Sequence, residues 1–433
     1  MSASDHDLAD GESARALLRH PMVARLLASQ LLATLAFGVI GAALGWQAYA
    51  RTGDPLTLGL IGLAEFVPAL VLALPAGQLA DRLDRRYVTA AGDLATIVFS
   101  AGLLLDAALG DTRAWPLYLL AAGLGGSRAF ASAAFTPMLA AAVTDRALPR
   151  TMAMSSATWQ SALIAGPLLG GIFQAAGDVP PYAAAIVADA IGLVLVLVVS
   201  RRIGTEHKSA EEQPVTFADA TAGLRLIVAT PVLLGAISLD LVAVLFGGAT
   251  SLLPVVARDI LHVGEVGYGV LRAAPGAGAV AVGILLSARP IQRKVGPLLL
   301  VAVAAFGLFT ILLGLSRSFV LSLVALSLLA ASDMVSVFIR STLGPLLTPP
   351  SLRGRVGAAE RVFIGASNEL GAFESGTLAR LIGTVPAIVL GGVASIAVAG
   401  LWAVLFPALR RIDRFEDLEP ADPDAALGGA ARS

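Results

Sequence analysis

The chain predicts an all-α polytopic membrane protein, with twelve transmembrane helices arranged as two pseudo-symmetric six-helix lobes. Of its 433 residues 57% are hydrophobic and 14% charged, with a mean hydropathy of +0.81, against about 25% charged in an ordinary soluble domain. Twelve stretches reach the roughly 20 apolar residues that a helix needs to cross a bilayer at about 1.5 Å per residue. One long polar connection divides them six from six.

A cytoplasmic leader, residues 1–21, is polar and partly acidic. It lacks the basic start and short apolar core of a cleavable signal, so it is expected to stay attached. The first lobe, 22–200, holds stretches at 22–50, 56–80, 87–109, 114–141, 148–176 and 181–200. An inter-lobe linker follows at 201–228, rich in both charge signs, in which 217–227 reads either as a short amphipathic helix or as a solvated loop. The second lobe, 229–406, holds 229–257, 265–288, 297–316, 319–347, 354–382 and 385–406, and a polar tail runs from 407 to 433.

The halves echo each other. Pro137-Met138-Leu139, the turn Thr144-Asp145-Arg146 and Pro167 to Gly171 are matched by Pro345-Leu346-Leu347, the turn Ser351 to Arg355 and Asn368 to Ala372. Two parallel six-helix repeats with a solute site near the midplane are the architecture that such symmetry suggests. Of the 30 lysines and arginines, Arg51, Arg113, Arg258, Arg317 and Arg380 alone lie outside when the N-terminus is placed inside, and Arg128, Arg272, Arg340 and Arg361 lie within the apolar stretches. Positive charge gathers on the cytoplasmic side. Both termini are therefore expected in the cytoplasm, with the protein in the bacterial cytoplasmic membrane.

Several classes of function drop out. The net charge of -1 recruits no nucleic acid, and the lack of cysteine removes thiolate metal sites and thiol catalysis. His6, His20, His207 and His262 all fall in expected loops or tails, which argues against a metal centre. The nearest approach to a phosphate loop, Gly204 to Ser209, has a histidine where the motif requires glycine and no strand before it. Neither a nucleotide site, a cofactor site nor a hydrolytic constellation is expected, and an ion gradient is left as the energy source.

Between the second and third stretches the charged knot Gly77-Gln78-Leu79-Ala80-Asp81-Arg82-Leu83-Asp84-Arg85-Arg86 interrupts two apolar segments. Gly77 is expected to let another helix approach closely. Asp81, four residues on, can cap a neighbouring helix, and Arg82, Arg85 and Arg86 can pair with it or reach Asp145 or Glu360. Such a cluster reads as a gate latch that holds the cytoplasmic side closed and breaks on opening.

From Gly77 this run resembles the signature loop of the major facilitator superfamily. Asp84 stands where glycine is usual, and D-R-x-D-R-R is the commoner form in the branch that resembles the enterobactin exporters and transmembrane secretion effectors. Leu239-Asp240-Leu241, Leu271 to Pro275, Ala331 to Thr342, Arg353 to Val356 and Ser367 to Gly376 are similar to the same branch. Gly166-Pro167-Leu168-Leu169-Gly170-Gly171 is similar to the antiporter motif of exporting branches, and a proline-kinked, glycine-faced helix is a plausible hinge. The equivalent turn of the second half, Ser287 to Lys294, keeps the bases without an aspartate, so the latch is expected to be one-sided.

The resemblance implies a secondary active transporter, not an enzyme, that exports a small amphipathic molecule in exchange for protons by alternating access. A catecholate siderophore or a hydrophobic drug is the implied cargo, and a monomer the implied state. The rivals are a proton symporter importing a nutrient and a non-transporting sensor on the same body.

Charges inside a bilayer cost about 2.5–3.5 kcal/mol each and so mark pathways or partners. Glu65, Asp333, Arg340 and Glu369 are the leading candidates for the proton and substrate pathway, joined by Arg128 and Asp240. Asp333 and Arg340, two turns apart on one helix face, could exchange a proton. Asp189 and Glu374 are further candidates for the pathway, with a bond to neighbouring backbone or hydroxyl groups as the alternative for Asp189 and for Asp240 and a place at the outer end of its helix as the alternative for Glu374, while Trp46, Trp159 and Phe338 read as packing.

Overall fold

The computed structural model describes residues 14–110, 112–199 and 217–419. The start of the leader, the stretch 200–216 with its Gly204 to Ser209 run, and the tail from 420 lie outside the described residues.

Twelve long helices appear where twelve apolar stretches were expected. They are α1 (Pro21–Thr52), α2 (Leu56–Arg82), α3 (Arg85–Leu109), α4 (Trp115–Ala141), α5 (Leu148–Ala175), α6 (Pro180–Leu197), α7 (Pro231–Phe246), α8 (Glu265–Ala288), α9 (Val295–Leu315), α10 (Phe319–Leu347), α11 (Arg353–Ile382) and α12 (Thr384–Leu405). Among the described residues, nine spans are long and apolar enough to cross a membrane. The helices α4, α5 and α11 fall short because glycine, hydroxyl residues and charge dilute them. Helix α11 alone carries Arg353, Arg355, Glu360, Arg361, Glu369, Glu374 and Arg380.

Their ends follow local chemistry. Proline in the first turn, where its missing amide has no intrahelical partner to lose, opens α1, α5, α6 and α7. Gly53 (φ 61°) and Gly110 (φ 65°) close α1 and α3 in the left-handed conformation that a side chain resists. Helix α7 stops at Phe246, short of the expected 257, and continues as a 3-10 turn (Gly248–Leu252), one α turn (Leu253–Val255) and a π turn (Val256–Ile260). Paired glycines at 247 and 248 weaken the helix, and Pro254 removes an amide and crowds the carbonyl four residues back.

Two compact units result, one formed by 14–53, 60–199 and 263–273, the other by 54–59, 217–262 and 274–419. In the first, α1 packs on α5 and α6, and α3 packs on α4 and α6. In the second, α7 packs on α11 and α12, and α9 packs on α10 and α12. These are the same four pairings shifted by six helices, so the internal repeat is structural as well as sequential. Outward faces are apolar: Leu109, Leu381 and Val404 expose 74%, 73% and 72% of their surface, the inverse of a water-soluble bundle.

Small residues set the helix spacing in the first unit. A Cβ on Gly166 would lie 2.9 Å from the Gly38 Cα, and one on Gly170 would lie 3.0 Å from the Val39 carbonyl oxygen, so α5 and α1 meet backbone to backbone there. Gly171 faces Gly269 in the same way, at 2.8 Å from its Cα. At one end of the unit Gln47 donates to Gln174 (2.8 Å), Tyr182 donates to Gln47 (3.1 Å) and Arg51 pairs with Asp106 at 2.6 Å. In the second unit the helix Phe217–Ala229 buries Leu226 and Ile227 against Leu352 and Val356 instead of standing free as a loop.

Candidate functional site

The first unit holds a partly open cavity of about 300 Å³. Its charged lining is Glu65 from α2, Asp93 from α3, Arg128 from α4 and Asp189 from α6, set among the hydroxyls of Thr34, Thr89, Thr96, Ser132 and Thr136. Phe37, Phe135 and Trp159 supply aromatic wall. Trp159, expected as packing, thus borders the cavity and is 42% exposed.

Glu65 stands half-buried in the field of two cations, Arg128 and then Arg272. The Arg128 guanidinium lies 3.7 Å from the centre of the Phe37 ring, a cation–π contact that orients it along the cavity wall. Arg272 donates from Nη1 to the Tyr268 hydroxyl at 2.8 Å, and the Tyr268 ring lies 5.4 Å from that of Trp46. Gly125 on α4 leaves no room for a side chain against the Glu65 carbonyl, which brings α2 and α4 together at the acid. Sequence reasoning nominated Glu65 and Arg128 separately; the fold places both on one cavity.

Asp93 was missed. It lies within an apolar stretch whose only other acid, Asp106, pairs with Arg51, and the available signal was its spacing from Thr89 and Thr96, which puts all three on one face of α3. Asp189, one of the intramembrane acids noted in the sequence, also lines this cavity, and its Oδ2 has no hydrogen-bond partner among the described residues, although the residue is only 3% exposed.

In the second unit the ion pair is also redrawn. Arg340 Nη2 sits 2.8 Å from Asp240 Oδ1 on α7, and Arg340 Nε donates to Ser336 Oγ at 3.3 Å. Asp333 feels both Asp240 and Arg340, and shares with Asp240 and Ser336 the lining of a small hollow. The two-turn spacing along α10 was correct, but the tightest partner of Arg340 comes from across the helix packing. Glu369 lies half-buried on α11, and Glu374 accepts from Ser375 Oγ at 3.4 Å.

The charged knot is built differently from its expected wiring. Asp81 and Arg82 are exposed in the last turn of α2, and among the described residues no atom lies within 4 Å of a Cβ built on Gly77, so none of the described helices approaches closely there. Asp84 instead caps α3, accepting from the Arg86 amide at 3.0 Å and pairing with Arg86 Nη2 at 2.7 Å. Arg86 Nη1 donates to the Val199 carbonyl at 2.8 Å, tying the knot to the end of α6. The second unit repeats this fastening with a new acid: Asp413, beyond α12, accepts from the Lys294 amide at 3.0 Å and from Arg293 Nε at 3.2 Å. Those contacts, the amide first, hold the Asp413 carboxyl below its ordinary range. The aspartate absent from the second turn is therefore supplied from elsewhere in the chain.

The family model described as Major Facilitator Superfamily matches residues 26–372. The enterobactin exporter EntS of Citrobacter koseri is 26% identical over 419 residues, covering 95% of this chain and 97% of the relative. The EntS protein of Escherichia coli O1:K1 / APEC is 26% identical over 404 residues, covering 91% and 94%. Among solved structures, a POT family transporter in complex with 5-aminolevulinic acid superposes with a TM-score of 0.71 at 12% identity, covering 89% of this chain and 96% of that one.

Proposed function

The chain belongs to the major facilitator superfamily and is a multi-pass membrane transporter, not an enzyme, and from that premise we propose that it exports a small amphipathic molecule from the cytoplasm in exchange for protons. The observation that carries the reading is Glu65, set on the wall of a cavity that Arg128 also lines, in the field of Arg128 and Arg272. In a medium of low polarity an acid is favoured neutral and its pairing with a cation favours it charged. An acid so placed can exchange a proton whenever a solute or a helix movement changes its distance from those arginines. Asp333, Asp240 and Arg340 form the corresponding set in the second unit, and Glu369, on α11 of the same unit, joins the pathway.

Hydroxyls and aromatic rings in one cavity suit a solute with both polar and apolar faces. The likeness to enterobactin exporters supports export and a siderophore-like or drug-like cargo. Both termini lie in the cytoplasm, the protein works as a monomer in the bacterial cytoplasmic membrane, and the knot from Gly77 to Arg86 acts as the latch that opens and closes in the cycle. The motif Gly166-Pro167 with Gly170 and Gly171 acts as the stiff, close-packed element about which the first lobe rocks.

Comparison of culture-medium metabolites by mass spectrometry with and without the gene, in iron-replete and iron-poor growth, tests the reading. A compound that accumulates outside only when the gene is present supports export. Accumulation inside the cells instead points to the importing rival and sinks the export reading.

A further inference from the structure

Asp93 and Asp189 are left over from the proton pathway just described. Both line the first unit's cavity, one from α3 and one from α6, and those two helices pack together. No arginine or lysine among the described residues acts on either carboxylate or forms an ion pair with it, and the one charge that acts on Asp189 is that of Asp93. Arg128, on the same cavity, is committed to Phe37 and Glu65. Two acids held this way take up positive charge from outside the protein, because two like charges in a site of low polarity are poorly tolerated.

A second observation points to the kind of ligand. Thr89 lies one turn before Asp93, is only 3% exposed, lines the same cavity, and its Oγ1 has no hydrogen-bond partner among the described residues. Asp189 Oδ2 is likewise without one. Buried polar atoms are ordinarily satisfied. Three acceptors in one place, two of them carboxylates, match a group that brings both a positive charge and several N–H donors. The aromatic wall of Phe37, Phe135 and Trp159 offers a surface for an apolar body.

We propose that Asp93, Asp189 and Thr89 form a subsite for the protonated amine of the transported solute, separate from the Glu65 proton site. The inference rests on the reading of the chain as a solute carrier, and narrows its cargo to amphipathic amines. One ammonium group donates to Asp189 Oδ2, Asp93 and Thr89 while its apolar remainder lies on the rings. No bond is made or broken, and the solute leaves as it arrived.

The test is equilibrium binding to the purified full-length protein in detergent, with no gradient, using the fluorescent amine monodansylcadaverine and its N-acetyl derivative, which keeps the body and loses the charge. Fluorescence anisotropy is expected to show saturable binding of the amine at least tenfold tighter than of the acetamide. Asp93→Asn and Asp189→Asn are each expected to bring the amine down to the acetamide's affinity and leave the acetamide unchanged, which also reports an intact cavity. On the wild-type protein the amine, and not the acetamide, is expected to protect Asp93 and Asp189 from carbodiimide labelling, located by peptide mass spectrometry. Equal affinity for the two probes, no saturable amine binding, a preference that survives both substitutions, labelling that the amine fails to slow, or displacement of the amine by an equal concentration of sodium overturns the proposal. A protein that binds the amine with this pattern but exchanges no protons for its solute leaves the subsite standing and sinks the transport reading alone.

Discussion

Arg340 and Asp240 form a buried ion pair at 2.8 Å between α10 and α7, with side chains only 6% and 8% exposed. Two charges in hydrocarbon surroundings are tolerable together and expensive apart. Asp240→Asn is therefore expected to destabilise the protein by about 3–5 kcal/mol, read as a lowered unfolding temperature in detergent, because it strands the guanidinium. The double substitution Asp240→Leu with Arg340→Met is expected to recover most of that loss. If the single substitution leaves the unfolding temperature unchanged, the pair is not the buried lock described.

The close approach of α5 to α1 makes a contrasting prediction about glycines. Gly166→Val places carbon against the backbone of Gly38, and overpacking of this kind costs about 1–3 kcal/mol. Gly77→Ala has open space around it in this structure and improves helix propensity by about 1 kcal/mol. Its unfolding temperature is expected to be unchanged or raised. Should Gly77→Ala slow transport at full stability, the close contact expected at that glycine belongs to another state of the cycle.

Asp84 has two roles that can be separated. It caps α3 and neutralises Arg86, which is itself bound to the Val199 carbonyl. Asp84→Asn keeps a cap and loses the charge, whereas Asp84→Ala loses both, and the cap alone is worth about 1 kcal/mol. The order of unfolding temperatures is expected to be wild type, then Asn, then Ala. Equal values for Asn and Ala exclude a capping contribution.

Asp413 gives the second unit a pH-dependent fastening. Its carboxyl is held below the ordinary range, first by the Lys294 amide and then by Arg293. A depressed carboxylate adds stability above its unfolded value, about 3.9, and that stability is lost as pH falls through the lower folded value. Hydrogen exchange at the Val295 and Gly296 amides, which bond to the Asp413 and Ile412 carbonyls, is expected to show constant protection above about pH 5 and growing exposure below about pH 4. The Asp413→Asn protein is expected to lose that dependence. A pH profile identical in both proteins removes the carboxylate from the fastening.

The helices were legible because the need for an apolar span is a property of each segment alone. The pairing of charges was not. The α10 register correctly put Asp333 and Arg340 on one face, but the nearest acid to Arg340 is Asp240, brought in by the packing of α7 that no single-helix pattern encodes. Asp93 escaped notice for the same reason, since a lone acid among small and apolar residues gains meaning only when α6 sets Asp189 beside it. The break in α7 was present in the sequence as Gly247, Gly248 and Pro254, yet a continuous apolar run outweighed it. The missing aspartate of the Ser287 to Lys294 turn lay more than a hundred residues away, at Asp413.

The most direct test of the account is proton movement coupled to solute movement in sealed liposomes. The solute that the gene adds to culture medium would be loaded inside with a pH dye, in vesicles carrying wild type or Glu65→Gln. Wild-type protein is expected to acidify the lumen in step with solute efflux, because each solute that leaves is exchanged for protons that enter, and Glu65→Gln to move solute only down its own gradient, with no pH change. Equal proton movement in the two proteins, or solute movement against its gradient by Glu65→Gln, contradicts Glu65 as the proton carrier.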